Sequence, residues 1–227
     1  MAIPFWHRLR TLVRELGVTT AMVYLLDRLL RGIHPGSHIS YYRFVAQPLR
    51  QTPRLPAHRG KGFAFGLLQE EAPVLAALGR PARVLAARFA QGAQCLVASK
   101  GQDLAGCIWF VPGVYHEDEV RVDYVLPATG ECVWDFDVFV APSERLGFLF
   151  ARQWDAFDAL LYPLGVRYSV SRINAFNQRS LASHLGLGAR DCGWALFVCL
   201  GQLQWMLSSL PPYVALGGRP QLRFRIS

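Results

Sequence analysis

At 227 residues the chain can bury a sizeable core without metals or disulfides. Its five cysteines, none in a C-x-x-C pair, read as reduced thiols and argue against both a disulfide framework and a zinc site. The net charge of +8 is lopsided: nine arginines against Glu15 and Asp27 place +7 of it in residues 1–60. Those arginines lack interleaved stacking aromatics, so no nucleic-acid partner is expected.

Ile3, Phe5 and Trp6 precede a short apolar stripe of Leu9, Leu12, Val13 and Leu16. Met22, Leu25, Leu26, Leu29, Leu30 and Ile33 then fall on one face of a second helix, opposite Tyr24, Asp27, Arg28 and Arg31. Thr19 or Thr20 is its expected N-cap, and Gly32 lies near its end. The apolar stretch is too short to span a bilayer and no small-residue cleavage site follows it, so neither a transmembrane helix nor a signal peptide is expected. Residues 41–59, punctuated by Pro48, Pro53 and Pro56, sustain no period and predict a connecting arm.

A strand is expected at 62–68, helices at 70–78 and 81–90, and a hairpin of 94–99 with 104–111. A further strand is expected at 120–126. Residues 133–140, rich in β-branched and aromatic side chains, predict a buried strand that Ala141-Pro142-Ser143 breaks. Gly147 opens a helical pattern through Leu149, Phe150, Trp154, Phe157, Leu160 and Leu161. A helix start of this kind leaves backbone N–H groups without intrahelical partners at the positive end of the dipole, which suits a phosphate. After Gly165 come a strand at 166–170 and a helix ending at Leu187-Gly188. Residues 195–207 predict a closing strand, followed by irregular chain at Pro211-Pro212 and Gly217-Gly218.

The order V-x-P, Arg, Gly, helix, Gly, strand, Asn-x-x-Ser, Leu-Gly resembles the GNAT (GCN5-related) N-acetyltransferase superfamily over residues 61–200. The resemblance rests best on Val138-Phe139-Val140-Ala141-Pro142 and on Asn177, Ser180, His184 and Gly188. The family's pyrophosphate loop reads Q/R-x-x-G-x-G/A; here Glu144-Arg145-Leu146-Gly147-Phe148-Leu149 keeps one glycine and puts Leu149 at the last small position. The resemblance implies an α/β (α+β) fold with a central mixed, mostly antiparallel sheet flanked by helices. Residues 56–227 would form that domain, behind a basic amphipathic helical extension and arm at 1–55. It further implies acetyl-CoA or another acyl-CoA as substrate, without a metal, and transfer to an amine or lipid-like acceptor. Val138 and Val140 would bind the pantetheine arm, Arg145, Leu146, Gly147 and Phe148 the pyrophosphate, and Asn177 and Ser180 the cofactor beyond. His184, at the family's tyrosine position, would protonate the leaving thiolate.

Asp135 and Asp137 alternate with Trp134, Phe136 and Val138, so strand geometry points both carboxylates to one side. Substrate amine recognition or deprotonation is one rationale for the pair; a salt bridge to Arg121 or Arg172 is the other. His116-Glu117-Asp118-Glu119 reads either as an acidic patch at the acceptor cleft or as a solvated loop, and Asn177 equally as a helix N-cap. The basic N-terminal segment has three readings: packing on the domain, an interfacial anchor on an anionic membrane, or a dock for an acyl carrier protein. Two functions follow: an N-acyltransferase of the cytoplasm, peripheral at the inner membrane face on the anchor reading, or a non-catalytic GNAT-fold protein holding acyl-CoA, carrier protein or lipid.

Overall fold

The computed structural model describes residues 5–34 and 36–226, so Ile3 lies outside the described residues. In chain order the first elements are α1 (Phe5–Leu16), α2 (Val18–Ile33), β1 (His38–Pro48), β2 (Ala64–Leu68), α3 (Ala82–Ala90), β3 (Gln94–Lys100), β4 (Asp103–Pro112) and β5 (Val114–His116). Then follow β6 (Asp123–Val125), β7 (Cys132–Val140), α4 (Leu149–Leu161), β8 (Tyr168–Asn174), α5 (Gln178–Gly186), β9 (Arg190–Leu200), β10 (Leu203–Ser208), β11 (Val214–Leu216) and β12 (Gln221–Arg223). They form two compact units interleaved in sequence. The first takes the chain up to Ala46, Glu117–Tyr124 and Arg172–Phe224; the second takes Gln47–His116, Val125–Ser171 and the residues from Arg225.

In the first unit the strands run β11-β10-β9-β1, each pair antiparallel. β1 occupies the start of the stretch expected to be a connecting arm. Its burial is nearly continuous rather than alternating, as in a strand covered on both faces, so no period of two marks it in the sequence. The stretch expected as one closing strand is a hairpin, β9 and β10, turning at Gly201, which adopts φ +57°. Val45, Ile173 and Ala189 share a small core with Leu181, and Phe44 packs edge-on against Tyr124 and Phe224. The acidic run is a solvated loop except at Glu117: His116, Asp118 and Glu119 are exposed, whereas Glu117 is buried and ion-paired with Arg172, whose guanidinium lies 4.5 Å from the Tyr42 ring centre. Tyr42 in turn donates to Glu119 at 2.7 Å.

In the second unit the order is β8-β7-β4-β3-β2, antiparallel throughout except for the parallel pair β7 and β8. α3 and α4 cover opposite faces. Phe89 of α3 meets Trp109 at 5.0 Å, whereas Phe157 of α4 meets the next β4 residue, Phe110, at 5.1 Å. Trp109, Phe110 and Phe157, which are buried, each contribute on the order of 2–3 kcal/mol through removal of apolar surface from water. The remainder of the arm is tied to α4: buried Arg54 pairs with Asp155 and Asp158, and Arg152 donates to the carbonyls of Pro56 and Arg59. The expected helix at 70–78 is a 3₁₀ turn, Pro73–Leu78. Cys95, Cys107, Cys132 and Cys199 are buried free thiols, and Cys192 is half-buried.

Candidate functional site

β7 carries most of the predicted residues, and one irregularity governs them. Trp109 pairs with Asp137 and Phe110 with Asp135, leaving Phe136 as an extra residue on β7. This bulge breaks the alternation of side chains. Asp135 lies opposite Phe110, on the α4 face, and accepts a hydrogen bond from Ser169 at 2.7 Å. Asp137 lies on the α3 face, held by Arg88 at 2.9 Å and Arg80 at 3.1 Å. Arg88 also covers the rings of Trp109 and Phe136 at 5.0 and 5.1 Å. The two carboxylates therefore do not form a pair, and the salt bridge to Asp137 comes from Arg88 and Arg80 rather than Arg121 or Arg172.

Their electrostatics differ accordingly. Asp135 is 2% exposed, and burial pushes its carboxyl up to about 7 against the opposing Ser169 hydrogen bond. Asp137 is committed to two guanidinium groups as acceptor.

The bulge also marks where β7 opens. Its register with β8 runs from Cys132–Tyr168 to Asp135–Ser171, and β7 continues past it to Val140. Residues 132–135 are buried and 136–140 are half-buried. Ala141 donates its N–H to the Ala105 carbonyl at 2.8 Å, so ladder alternation turns the backbone groups of Val138 and Val140 away from β4. Of these, the Val140 carbonyl accepts from Arg145 Nε at 3.2 Å.

Beyond this edge a short turn, Pro142–Glu144, leads into α4, which starts at Leu149 with Phe148 as an N-cap offering no side-chain bond. Arg145, Leu146, Gly147 and Phe148 are all exposed, Leu146 fully so. Cations gather here. Arg59 lies over the Phe148 ring at 5.5 Å, and Lys100 pairs with Glu144 at 2.9 Å. With Arg145, which donates to the Val140 carbonyl, they lie along the turn that leads to a helix N-terminus, an arrangement that favours a phosphate-bearing ligand. Arg59 is brought by the arm, where Gly60 at φ +65° passes so close to Arg152 and Phe148 that a Cβ would meet them at 2.9 and 3.0 Å.

The remaining predicted residues lie on α5 in the first unit. Asn177 caps the helix, accepting from the Ser180 backbone N–H at 3.1 Å, which is its alternative reading from the sequence. His184 is 3% exposed, and burial lowers its imidazole to about 4. At neutral pH the ring is uncharged, so the protonated form required of a general acid is scarce.

Sequence reasoning missed Gln153, Gly106, Arg88, Arg59 and Lys100. Gln153 is fully buried on α4 and donates to the carbonyls of Cys107 and Phe139 at 3.2 and 3.3 Å. Gly106 makes room for it: a Cβ there would lie 2.1 Å from Gln153 Oε1. The available signals were a polar residue on the buried stripe of a helix and a glycine inside an apolar strand. Among the described residues no cluster of His, Cys, Asp or Glu is arranged to hold a metal ion.

A parallel strand pair set in an otherwise antiparallel sheet, with a helix following β7, is the mixed, mostly antiparallel α/β architecture flanked by helices that the family resemblance implied. No protein-family model and no curated protein sequence matches the chain. Among solved structures it is similar to a functionally unknown conserved protein from Staphylococcus epidermidis, at 12% identity and TM-score 0.52, covering 78% of this chain and 66% of that one. It also aligns with a tandem GNAT protein from the clavulanic acid biosynthesis pathway, at 14% identity and TM-score 0.46, covering 78% and 55%. An aminoglycoside acetyltransferase from an uncultured soil metagenomic sample aligns at 10% identity and TM-score 0.41, covering 56% and 88%. The chain thus spans just under two thirds of the first of these and about half of the second.

Proposed function

We propose that the protein is an acyl-CoA-dependent N-acyltransferase that moves an acetyl or longer acyl group from a thioester to an amine or lipid-like acceptor. The observation that carries this reading is the outer edge of β7 leading, through a turn that holds Lys100, Arg145 and Arg59, to a helix start without a side-chain cap. Val138 and Val140 would hydrogen bond to the amides of the pantetheine arm as a neighbouring strand would, and the cations would hold the phosphates. A thioester carbonyl laid on this edge would accept from backbone N–H, each such donor stabilising the developing oxyanion by roughly 3 kcal/mol. The amine nitrogen then forms the C–N bond, the C–S bond breaks, and the proton lost by the amine passes to the thiolate.

Solvent is assigned that proton transfer. Asp135 titrates in a useful range but is buried beneath α4, Asp137 is ion-paired, and His184 is buried and uncharged. The same burial favours a second reading, a GNAT-fold protein that holds acyl-CoA, a carrier protein or lipid without transferring the acyl group. Calorimetry with CoA and acetyl-CoA, followed by thiol release with a panel of amines, separates the two. Micromolar binding with thiol release is expected, and Gly147→Glu, which places a carboxylate beside the helix start, abolishes binding. Binding without thiol release leaves the second reading; absence of binding by the unmodified protein removes the acyl-CoA site altogether.

A further inference from the structure

α2 is held to its unit by its polar side. Asp27, 6% exposed, accepts the backbone N–H of Ile39 at 2.7 Å and pairs with Arg31 at 2.9 Å. Tyr24 packs edge-on against Phe176 at 5.3 Å. The apolar stripe consequently faces solvent: Met22, Leu26 and Leu29 are 51–59% exposed, and Ile33 reaches 70%. A surface helix of a globular protein ordinarily does the reverse, burying its apolar stripe.

The exposed stripe continues onto the sheet of the same unit. Leu30 and Ile33 share a cavity of about 350 Å³ with Leu200, which pairs with Leu203 at the turn between β9 and β10. Along β10, Gln204, Met206 and Ser208 are buried while Leu203, Trp205 and Leu207 are 65%, 57% and 46% exposed. Their β11 partners, Leu216 for Trp205 and Val214 for Leu207, are 68% and 66% exposed. Helix and hairpin thus present a broad apolar surface, beyond the scattered single residues usual on a monomer.

The geometry points to an anionic lipid bilayer as the occupant of this face. Within the first unit α1 and α2 carry five arginines against Glu15 and Asp27, a net +3, and Arg10 and Arg14 are exposed on α1. In a symmetric dimer the face would meet itself, bringing the net positive charge of the two helices in one copy near that of the other. Anionic headgroups convert that repulsion into attraction, while acyl chains accept an apolar surface of any contour. No described helix is long and apolar enough to cross a membrane, so the contact is interfacial. It is independent of the acyl-CoA reading, since every residue used lies in the first unit and the acyl-CoA edge in the second.

The test is sedimentation of the full chain with vesicles of phosphatidylcholine alone and of phosphatidylcholine mixed with phosphatidylglycerol, at low and high salt. Partitioning onto the mixed vesicles at low salt is expected. The pairs Leu26→Glu with Leu29→Glu, and Trp205→Glu with Leu207→Glu, should each weaken it about tenfold or more. Arg10→Glu with Arg14→Glu leaves the apolar face intact and should weaken binding to the anionic vesicles. All these sites are exposed, and unchanged urea midpoints confirm that the variants fold. The proposal fails if the chain ignores anionic vesicles, or if binding is indifferent to the apolar substitutions. It also fails if sedimentation equilibrium finds a dimer that the apolar substitutions dissociate while vesicle binding is absent.

Discussion

Asp135 and Asp137 flank Phe136 on β7 and face opposite sides of the sheet, because Phe136 has no register partner on β4. The two acids therefore have separate roles, and separate substitutions report on them. Asp137→Asn removes the carboxylate from Arg88, whose side chain is only 7% exposed. The expected loss is roughly 2–3 kcal/mol in urea unfolding, the cost of leaving a largely buried cation unpaired. Arg80→Ala should cost less than about 1 kcal/mol, since that side chain is half in solvent.

Asp135 makes stability depend on pH. Its carboxyl is raised from an ordinary 3.8 to about 7 in the fold, chiefly by burial. Between those values the unfolded chain binds fewer protons than the native one, so stability falls as pH rises through that window and is level above it. Asp135→Asn removes the ionisation while keeping an acceptor for Ser169. Relative to the unmodified protein it should gain on the order of 3–4 kcal/mol between acid and mildly alkaline buffer. Parallel unfolding curves for the two proteins across that range would remove this account.

His184 acts in the opposite sense. Burial lowers its imidazole from 6.5 to about 4, so the unfolded chain binds the extra proton. Stability contributed by the neutral ring is present above pH 6.5 and is lost as pH falls toward 4. His184→Gln should abolish up to about 3 kcal/mol of that acid-side loss. Acyl-CoA affinity, measured by calorimetry, should not change.

Gly106 and Gln153 should be strongly coupled. Gly106→Ala drives a methyl group into Gln153 Oε1 and the Phe139 carbonyl, at 2.1 and 2.7 Å. A loss of about 1–3 kcal/mol is expected from overpacking. In a Gln153→Ala background the clash with Oε1 is gone while that with the Phe139 carbonyl stays, so the same change should cost less, giving a coupling of about 1 kcal/mol in a double-mutant cycle. Additive losses would mean that the two side chains do not share this space.

Arg59 and Lys100 test the phosphate end of the proposed site. Arg59→Ser and Lys100→Ser should each weaken CoA binding by roughly three- to tenfold, with the difference shrinking at high salt because both cations are exposed. Affinity indifferent to either change and to salt would place the phosphates elsewhere.

Periodicity and turn chemistry by themselves determined β7, α4 and α5, the break after Val140, and two N-terminal helices with one apolar stripe apiece. These features are local: a run of β-branched residues, a Pro-Ser break, or a repeat of three and four residues needs no knowledge of distant chain. What the tertiary structure decided was nonlocal. β1 is hidden in the sequence because both its faces are covered. Phe136 becomes a bulge only against the particular register of β4, and that register separates Asp135 from Asp137. Arg59 and Lys100 reach the start of α4 from segments that the fold alone brings there. A hydrophobic stripe shows that α2 has two unlike faces, yet not which one is docked; Asp27 decides that by hydrogen bonding to Ile39. The physical reason is common to all four. Local sequence sets backbone preference and pattern, whereas register, long-range ion pairing and the choice of buried face depend on which distant residues the fold sets opposite.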